Sequence, residues 1–447
     1  MKRLFFVLVL GSVLVAAWIV RPVPSEEADT VDWDRFQAQL ESPAIPMSDK
    51  TNVILAVVCT LRKDRLEPYG FTKPTTPFLD ALAKDGVIFD RHYTQAPWTR
   101  PSMGSLLTGL WPRALQLDNP GKRSSLSLVL GEQHTTLAER FATAGYATVG
   151  STGNPNLKAQ FGLAQGLQRF WEPPKTYKEG RVEVAGHEQV DFLIDALEAT
   201  PTDQPLYMQV VLTDTHTPRT PALRYLRMFT SKLYRPGRRN NYDASLRQAD
   251  AVLARLFVEF KRLRPDTLFV LANDHGEGLR YPRHHGKGHG NHLYTTTIGG
   301  TSIWHHPALT PHRVDELTMN LDVVPTILGA LGVDTDNLDG VDLSSGLLQQ
   351  GEYPDREAVF SETFYGKSRK QTVIGRTHQY IRDLRLTEDS PKSEKLYAHS
   401  DVLSQENIIS QHPEIAEALR GALTRWDAEM AIRWAKAGQP EEQALDA

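Results

Sequence analysis

The chain has 447 residues, 40% of them hydrophobic, with glycine and proline at ordinary levels, which suffices for one large core plus a small addition and excludes disorder as the default. With 50 basic and 54 acidic residues the formal net charge is −4, implying neither a nucleic-acid partner nor a polyanionic substrate, so any anion site must be local. Cys59 is the single cysteine; no internal disulfide can form, and in an oxidising compartment a lone thiol is usually buried or employed.

The N-terminus departs from this soluble character. Met1-Lys2-Arg3 precedes seventeen uncharged residues, Leu4 to Val20. As a helix they span about 25 Å, marginal for a membrane and long for a signal peptide. Residues 1–21 read as a signal-anchor, with a cleaved signal peptide as the alternative, so the body is expected to be exported to a periplasmic or extracellular space. Residues 22–50, with Pro22, Pro24, Pro43 and Pro46, read as a polar, partly flexible linker.

Asn52 to Val58 is a continuous apolar run, the pattern of a strand buried on both faces in a parallel sheet. Thr75-Thr76-Pro77 opens a helix to about Lys84, and Val87 to Tyr93 supplies the next strand. In Gln95 to Pro112, QAPWTRPSMGSLLTGLWP, a loop runs into a helix whose Met103, Leu106 and Leu107 share apolar spacing. The Thr99 hydroxyl is thereby placed just ahead of a helix N-terminus, where unpaired N–H groups favour an anion; by itself T-x-P-S also fits an ordinary N-cap threonine. Asn119 to Ser127 reads as a surface loop, Thr136 to Ala144 as a helix, Ala147 to Ser151 as a strand, and Asn154 to Tyr177 as an ordered loop. His187 to Ala199 and Asn241 to Leu263 read as helices, and Leu206 to Thr213 and Thr267 to Ala272 as strands. The basic stretch Arg219 to Arg239 reads as an exposed, solvated insertion in preference to a phosphate or lipid-headgroup site. After Ser345 come short strands at Ala358 to Ser361, Gln371 to Gly375 and Gln379 to Asp383, then a helix from His412 to Ala435.

Ligands of open parallel sheets collect beyond the C-terminal strand ends. Cys59, Asp214 with His216, and Asp274 with His275 all follow such strands. The expected site therefore joins Thr99, Asp274, His275 and His216 to the loop RHHGKGHGN, whose histidines and Lys287 suit an oxyanion and its leaving group. Asp274-His275-Gly276-Glu277 can present a carboxylate and an imidazole to one divalent ion. Asp214 reads as structural.

These blocks resemble the sulfatase family of the alkaline-phosphatase superfamily. T-R-P-S-M-G-S-L-L-T-G is similar to its signature C/S-x-P-S-R-x-S-L-L-T-G, with Thr99 in the nucleophile's place. NVILAVVCTLRKD from Asn52, NPNLKAQFGLAQGLQRFW from Asn154, FVLANDHGE from Phe269 and LDVVPTILGALGV from Leu321 resemble other family blocks in order. The resemblance implies a mixed, mostly parallel sheet sandwiched by helices over residues 51–345, and a small C-terminal subdomain, a four-stranded antiparallel sheet with a helix, over 346–436. Residues 437–447 form a tail.

It further implies a metal-dependent ester hydrolase or transferase. Thr99, His289, Lys287 and His216 are its expected catalytic groups; Asp274, His275, Cys59 and Thr99 its metal ligands; Asn154, Arg100 and His285 its substrate contacts. Three departures bear on mechanism. Thr99 cannot become the formylglycine that sulfatases make from Cys or Ser, so it must attack as an alcohol and form a covalent ester, which favours phosphoryl over sulfuryl chemistry. Met103 replaces the signature arginine, consistent with Thr99. Cys59 replaces a metal-binding aspartate: a thiolate would move the ion from the family's Ca²⁺ toward Zn²⁺ or Mn²⁺, whereas loss of the ligand would weaken hard-metal binding. The substrate is then a small anionic ester, glycan or lipid headgroup; a catalytically degenerate protein that binds such an anion is the alternative.

Overall fold

The computed structural model describes residues 31–41, 43, 45–118, 128–173, 186–282, 285–385 and 393–437. Its centre is the apolar run noted above, β1 (Asn52–Val58), buried along its whole length. Val53, Leu55 and Val57 enter one core, while Ile54, Ala56 and Val58 enter another on the opposite face. Successive side chains of a strand alternate in direction, so a strand covered on both faces must be apolar throughout.

Seven further strands complete the sheet: β2 (Val87–Tyr93), β3 (Ala147–Thr152), β4 (Arg169–Trp171), β5 (Leu206–Leu212), β6 (Thr267–Ala272), β9 (Ser302–His305) and β10 (His312–Met319). Their order is β10-β2-β9-β6-β1-β5-β3-β4. All neighbours pair in parallel except β9, which runs antiparallel between β2 and β6. Helices Pro77–Lys84, Gly186–Ala199 and Arg238–Leu263 cover one face; Thr99–Thr108, Leu137–Thr143 and Val323–Ala330 cover the other. Between β6 and β9 lies a small hairpin, β7 (Gly278–Leu279) and β8 (Lys287–Gly288).

The C-terminal part is an antiparallel sheet of β11 (Ala358–Thr363), β12 (Lys370–Gly375), β13 (His378–Asp383) and β14 (Glu394–Ala398), with helix Pro413–Ala437. Arg113 fastens it to the main sheet: Nε donates to Glu362 Oε1 at 2.7 Å and Nη2 to Asp427 Oδ1 at 2.6 Å. The mostly parallel sheet, flanking helices and small antiparallel sheet agree with the fold class expected from the sequence. β4, β9, β10 and β14 were not read there as strands.

One expectation changes. Within the supposed linker, Trp33–Leu40 is a helix capped by Asp32, whose side chain accepts from Arg35 N, and its Phe36 is buried between Phe78 and Phe257 at ring distances of 5.3 and 5.7 Å. The N-terminal segment 1–21, the loop 119–127 and the tail beyond 437 lie outside the described residues. Among the described residues no helix is long and apolar enough to cross a membrane.

His92, buried at the end of β2, joins β2 to β10 and to the site. Its Nδ1 lies 3.0 Å from Thr318 Oγ1 and its Nε2 2.8 Å from Asn320 Oδ1, while Asn320 Nδ2 donates to the Asn273 carbonyl at 2.8 Å. Burial drives its pKa down to about 4. The unfolded chain therefore takes up a proton below about pH 6.5 that the folded chain refuses. The stability this neutral imidazole confers is full above pH 6.5 and is lost as pH falls toward 4, on the order of 3 kcal/mol. Thermal melts between pH 7 and 4 should fall more steeply for wild type than for His92→Gln.

Candidate active site

The loops leaving β1, β2, β3, β5 and β6 at their C-terminal ends carry Cys59, Thr99, Asn154, His216 and the pair Asp274-His275. All five strands point the same way, so these loops share one edge of the sheet. Helix Thr99–Thr108 begins at Thr99 itself and ends at Gly109, whose φ of +70° makes the left-handed cap. Every residue of this helix is buried. Met103, Leu106 and Leu107 pack into the core, fixing the helix so that Thr99 lies at the sheet edge.

Thr99 does not cap the helix; that position belongs to Trp98, which makes no side-chain cap. The Thr99 hydroxyl is held by the site instead. Asn154 Nδ2 donates to Thr99 Oγ1 at 3.3 Å and to Cys59 Sγ at 3.4 Å, and Thr99 Oγ1 lies 3.4 Å from His275 Nε2. His275 Nδ1 faces the Gly276 carbonyl at 2.8 Å, which leaves Nε2 for the site, 3.2 Å from Asp274 Oδ2. Asp274 Oδ1 accepts from the backbone N–H of Thr60 at 2.9 Å and of His275 at 2.7 Å; Oδ2 accepts from the Cys59 thiol at 3.1 Å.

Thr60 makes this possible through an unusual backbone. Its φ is +61°, a left-handed conformation costly for a β-branched residue. The turn aims its N–H at Asp274, and its carbonyl accepts from Tyr242 Oη at 2.8 Å. Ser102 Oγ donates to the Asp274 carbonyl, and Asn273 Nδ2 donates to the carbonyls of Leu61 and Gly299 at 3.0 and 3.2 Å. No sequence signal marked these roles, because Thr60 acts through its own backbone groups and Ser102 bonds a backbone carbonyl 172 residues away.

The charges at this cluster balance locally. Burial, then the adjacent Asp274, pushes the Cys59 thiol well above its usual range. Burial would also raise Asp274, but His275, the Thr60 N–H and Cys59 outweigh it and hold the carboxyl at about 2. Burial opposes a charge on His275, yet Asp274 prevails and raises its pKa. Asp274 thus favours the protonated form of His275 while no metal ion stands between them. Cys59, Asp274 and His275 each present one donor atom, all within 4.8 Å of one another. One thiol, one carboxylate and one imidazole, beside the Thr99 hydroxyl, fit a small borderline ion and fall far short of the roughly six to eight oxygens that Ca²⁺ takes.

A second ring of groups surrounds the first. Glu277 is buried, and Arg219 Nη2 donates to its Oε2 at 2.9 Å, while His289 Nδ1 lies 3.7 Å from Oε1. Burial pushes Glu277 up, but His289 and Arg219 overcome it and hold its pKa at about 2. The His289 ring lies 4.4 Å from His275 and 5.2 Å from His216, centroid to centroid. Burial, then His289, drives His216 down to about 4, so it stays neutral. Asp214 accepts from Gln248 Nε2 at 2.7 Å.

Not every candidate joins this cluster. Arg100 is fully buried, stacked 3.6 Å over Phe161, with Nε and Nη1 donated to the carbonyls of Asn156 and Leu128 at 3.2 and 3.0 Å. It is a structural cation, where a substrate contact was expected. His285 stacks on Tyr294 at 4.0 Å and bonds Thr296 Oγ1 through Nδ1 at 2.7 Å, again a packing role in place of the expected substrate contact. Lys287 is exposed on β8, paired with Leu279. Arg219, expected on a solvated face, is instead drawn inward by Glu277 and by the Tyr242 ring at 5.1 Å.

The chain has relatives with this architecture. The family model described as Sulfatase matches residues 51–333. Arylsulfatase A of Homo sapiens is 27% identical over 398 residues, 74% of each chain. N-acetylgalactosamine-6-O-sulfatase of Bacteroides thetaiotaomicron is 36% identical over 102 residues, 23% of this chain and 20% of that one. Among solved structures, the phosphonate monoester hydrolase of Agrobacterium radiobacter superposes with a TM-score of 0.69 at 18% identity, covering 85% of this chain and 96% of that one. Five ordered motifs, a matching sheet and a family match over more than half of the sequence agree: this chain belongs to the sulfatase family of the alkaline-phosphatase superfamily.

Proposed function

We propose that this protein is a metal-dependent hydrolase or transferase of phosphate and sulfate esters that uses Thr99 as a covalent nucleophile and favours phosphoryl substrates. One observation carries the reading: the Thr99 hydroxyl faces inward, bonded by Asn154 and 3.4 Å from His275, beside the Cys59–Asp274–His275 donor set. A threonine that only capped its helix would turn its oxygen back onto that helix. Oxidising a secondary alcohol gives a ketone, so no aldehyde hydrate can form at this position. The alcohol must attack directly.

Cys59, Asp274, His275 and Thr99 would hold the ion, with Zn²⁺ or Mn²⁺ favoured by the thiol. Such an ion supplies positive charge that lowers the hydroxyl pKa and screens the transferring group. The chain's own groups do the rest. Asn154 fixes the Thr99 oxygen by donating to it, and the hydroxyl proton leaves to water as the oxygen attacks. The bond from Thr99 Oγ1 to phosphorus forms, the bond to the ester oxygen breaks, and that oxygen takes a proton from His289, which Glu277 orients. Lys287 is the second candidate for this proton. His216, neutral and beside His289, can donate a hydrogen bond to the bound anion. Water then attacks phosphorus and Thr99 departs with a proton; an acceptor alcohol in place of water makes the same step a transfer.

A second reading has its own support. The neutral Cys59 thiol occupies Asp274 Oδ2, the oxygen that an ion would need, so the protein could bind an anionic glycan or lipid headgroup without turnover. Assays of metal-loaded protein on aryl phosphates, phosphodiesters, phosphonate monoesters and aryl sulfates decide between them. Turnover, greatest on a phosphoryl ester, supports catalysis; anion binding with no turnover on any class supports the second reading. We also place the body outside the cytoplasm, from residues 1–21; cell fractionation checks this.

A further inference from the structure

Beyond the catalytic centre, residues 219–239 contain seven basic residues and no acidic one, in a chain of net charge −4. Arg219 is spent on Glu277. Arg227, Lys232, Arg235, Arg238 and Arg239 are exposed, and among the described residues no carboxylate lies within 4 Å of them. The face also carries apolar groups that water does not favour: Leu223 is 56% exposed, Met228 51% and Tyr234 fully. Helix Leu223–Phe229 is seated by Tyr225 and Leu226, which pack on Ala244 and Ala251 of helix Arg238–Leu263. That seating leaves Leu223, Arg227 and Met228 exposed: Leu223 and Arg227, four apart, are neighbours on the helix surface, and Met228 follows Arg227 in the chain.

A solvated basic face needs no exposed Leu, Met and Tyr. Cations interleaved with such side chains match the interface of an anionic bilayer, where apolar groups enter the acyl boundary and cations meet lipid phosphates. A soluble polyanion would engage the cations alone. The segment also springs from the loop bearing His216 and is tied through Arg219 to Glu277 in the site. We propose that residues 223–239 are a peripheral docking surface for membranes rich in anionic phospholipid, and that docking brings the bilayer to the rim of the active site. This holds whether or not Thr99 turns over an ester.

Hydrogen exchange of the full chain on vesicles tests it with a local readout, indifferent to the behaviour of residues 1–21. At low salt, vesicles of phosphatidylcholine with phosphatidylglycerol should protect amides of 223–239, and pure phosphatidylcholine vesicles should not. The triple substitution Arg227→Glu, Arg235→Glu, Arg238→Glu should weaken this binding at least about 100-fold, and Leu223→Ser, Met228→Ser, Tyr234→Ser should also abolish the protection. Both variants should keep wild-type activity on a soluble aryl phosphate if the enzyme has any, since the altered side chains lie outside the catalytic cluster. Absence of protection on anionic vesicles overturns the proposal. So does protection that survives the serine variant or that heparin reproduces in wild type, which would mark a general polyanion surface.

Discussion

Thr99→Ala is expected to reduce kcat/KM on the preferred ester by at least about four orders of magnitude, because it removes the atom that forms the covalent bond in the proposed mechanism. Thr99→Ser should retain measurable turnover, since its hydroxyl can still receive the Asn154 hydrogen bond. Loss of folding is a poor alternative explanation. The alanine variant deletes one hydroxyl and one methyl from a helix whose Met103, Leu106 and Leu107 remain packed, for about 2 kcal/mol of stability. Thermal melts beside steady-state kinetics separate the two effects: the predicted pattern is a small shift in Tm with near-complete loss of kcat. If Thr99→Ala keeps full turnover, the nucleophile lies elsewhere.

Cys59→Asp should change which metal the protein holds. In the wild type the thiol is neutral and donates to Asp274 Oδ2 at 3.1 Å. A carboxylate there would face Asp274 at similar range, and two buried like charges repel. Without metal, the variant should therefore be less stable than wild type. With a hard divalent ion the second carboxylate becomes a ligand, and affinity for Ca²⁺ or Mg²⁺ should rise on the order of 100-fold while Zn²⁺ loses its thiolate. Metal content after dialysis, together with melts in the presence of Ca²⁺, Mg²⁺ and Zn²⁺, reads both effects. A variant with unchanged metal preference would show that position 59 is not a ligand position.

The sequence exposed the parts of the molecule governed by local rules. β1 is legible because burial on both faces leaves no polar residue between Val53 and Val58. Thr136 and Glu139 form a reciprocal capping box that begins helix Leu137–Thr143. The mouth of the site was legible because strand ends are followed by Cys59, Asp274 and His275. What escaped depends on partners far along the chain. β9 is only four residues, and β10 at the sheet's edge breaks strict alternation with adjacent Asp315 and Glu316 at a register shift between Val314 and Leu317; β9 is defined by pairing with β6 and β2, and β10 by pairing with β2. Arg100 beside the presumed nucleophile has the chemistry of an anion contact, yet carbonyls 28 and 56 residues away claim it. Arg219 looked like part of a solvated run until Glu277, 58 residues on, supplied its counter-charge.

Whether Thr99 bonds covalently to the substrate's phosphorus is the question on which the catalytic account rests. Metal-loaded protein, mixed with an aryl phosphate or phosphodiester, quenched in acid within one turnover and digested, gives the answer by peptide mass spectrometry. The account predicts one added phosphoryl-type group on the peptide containing Thr99, localised by fragmentation to that residue and absent from Thr99→Ala. Turnover with no adduct there, or with the group on Ser102 or a histidine, would contradict it.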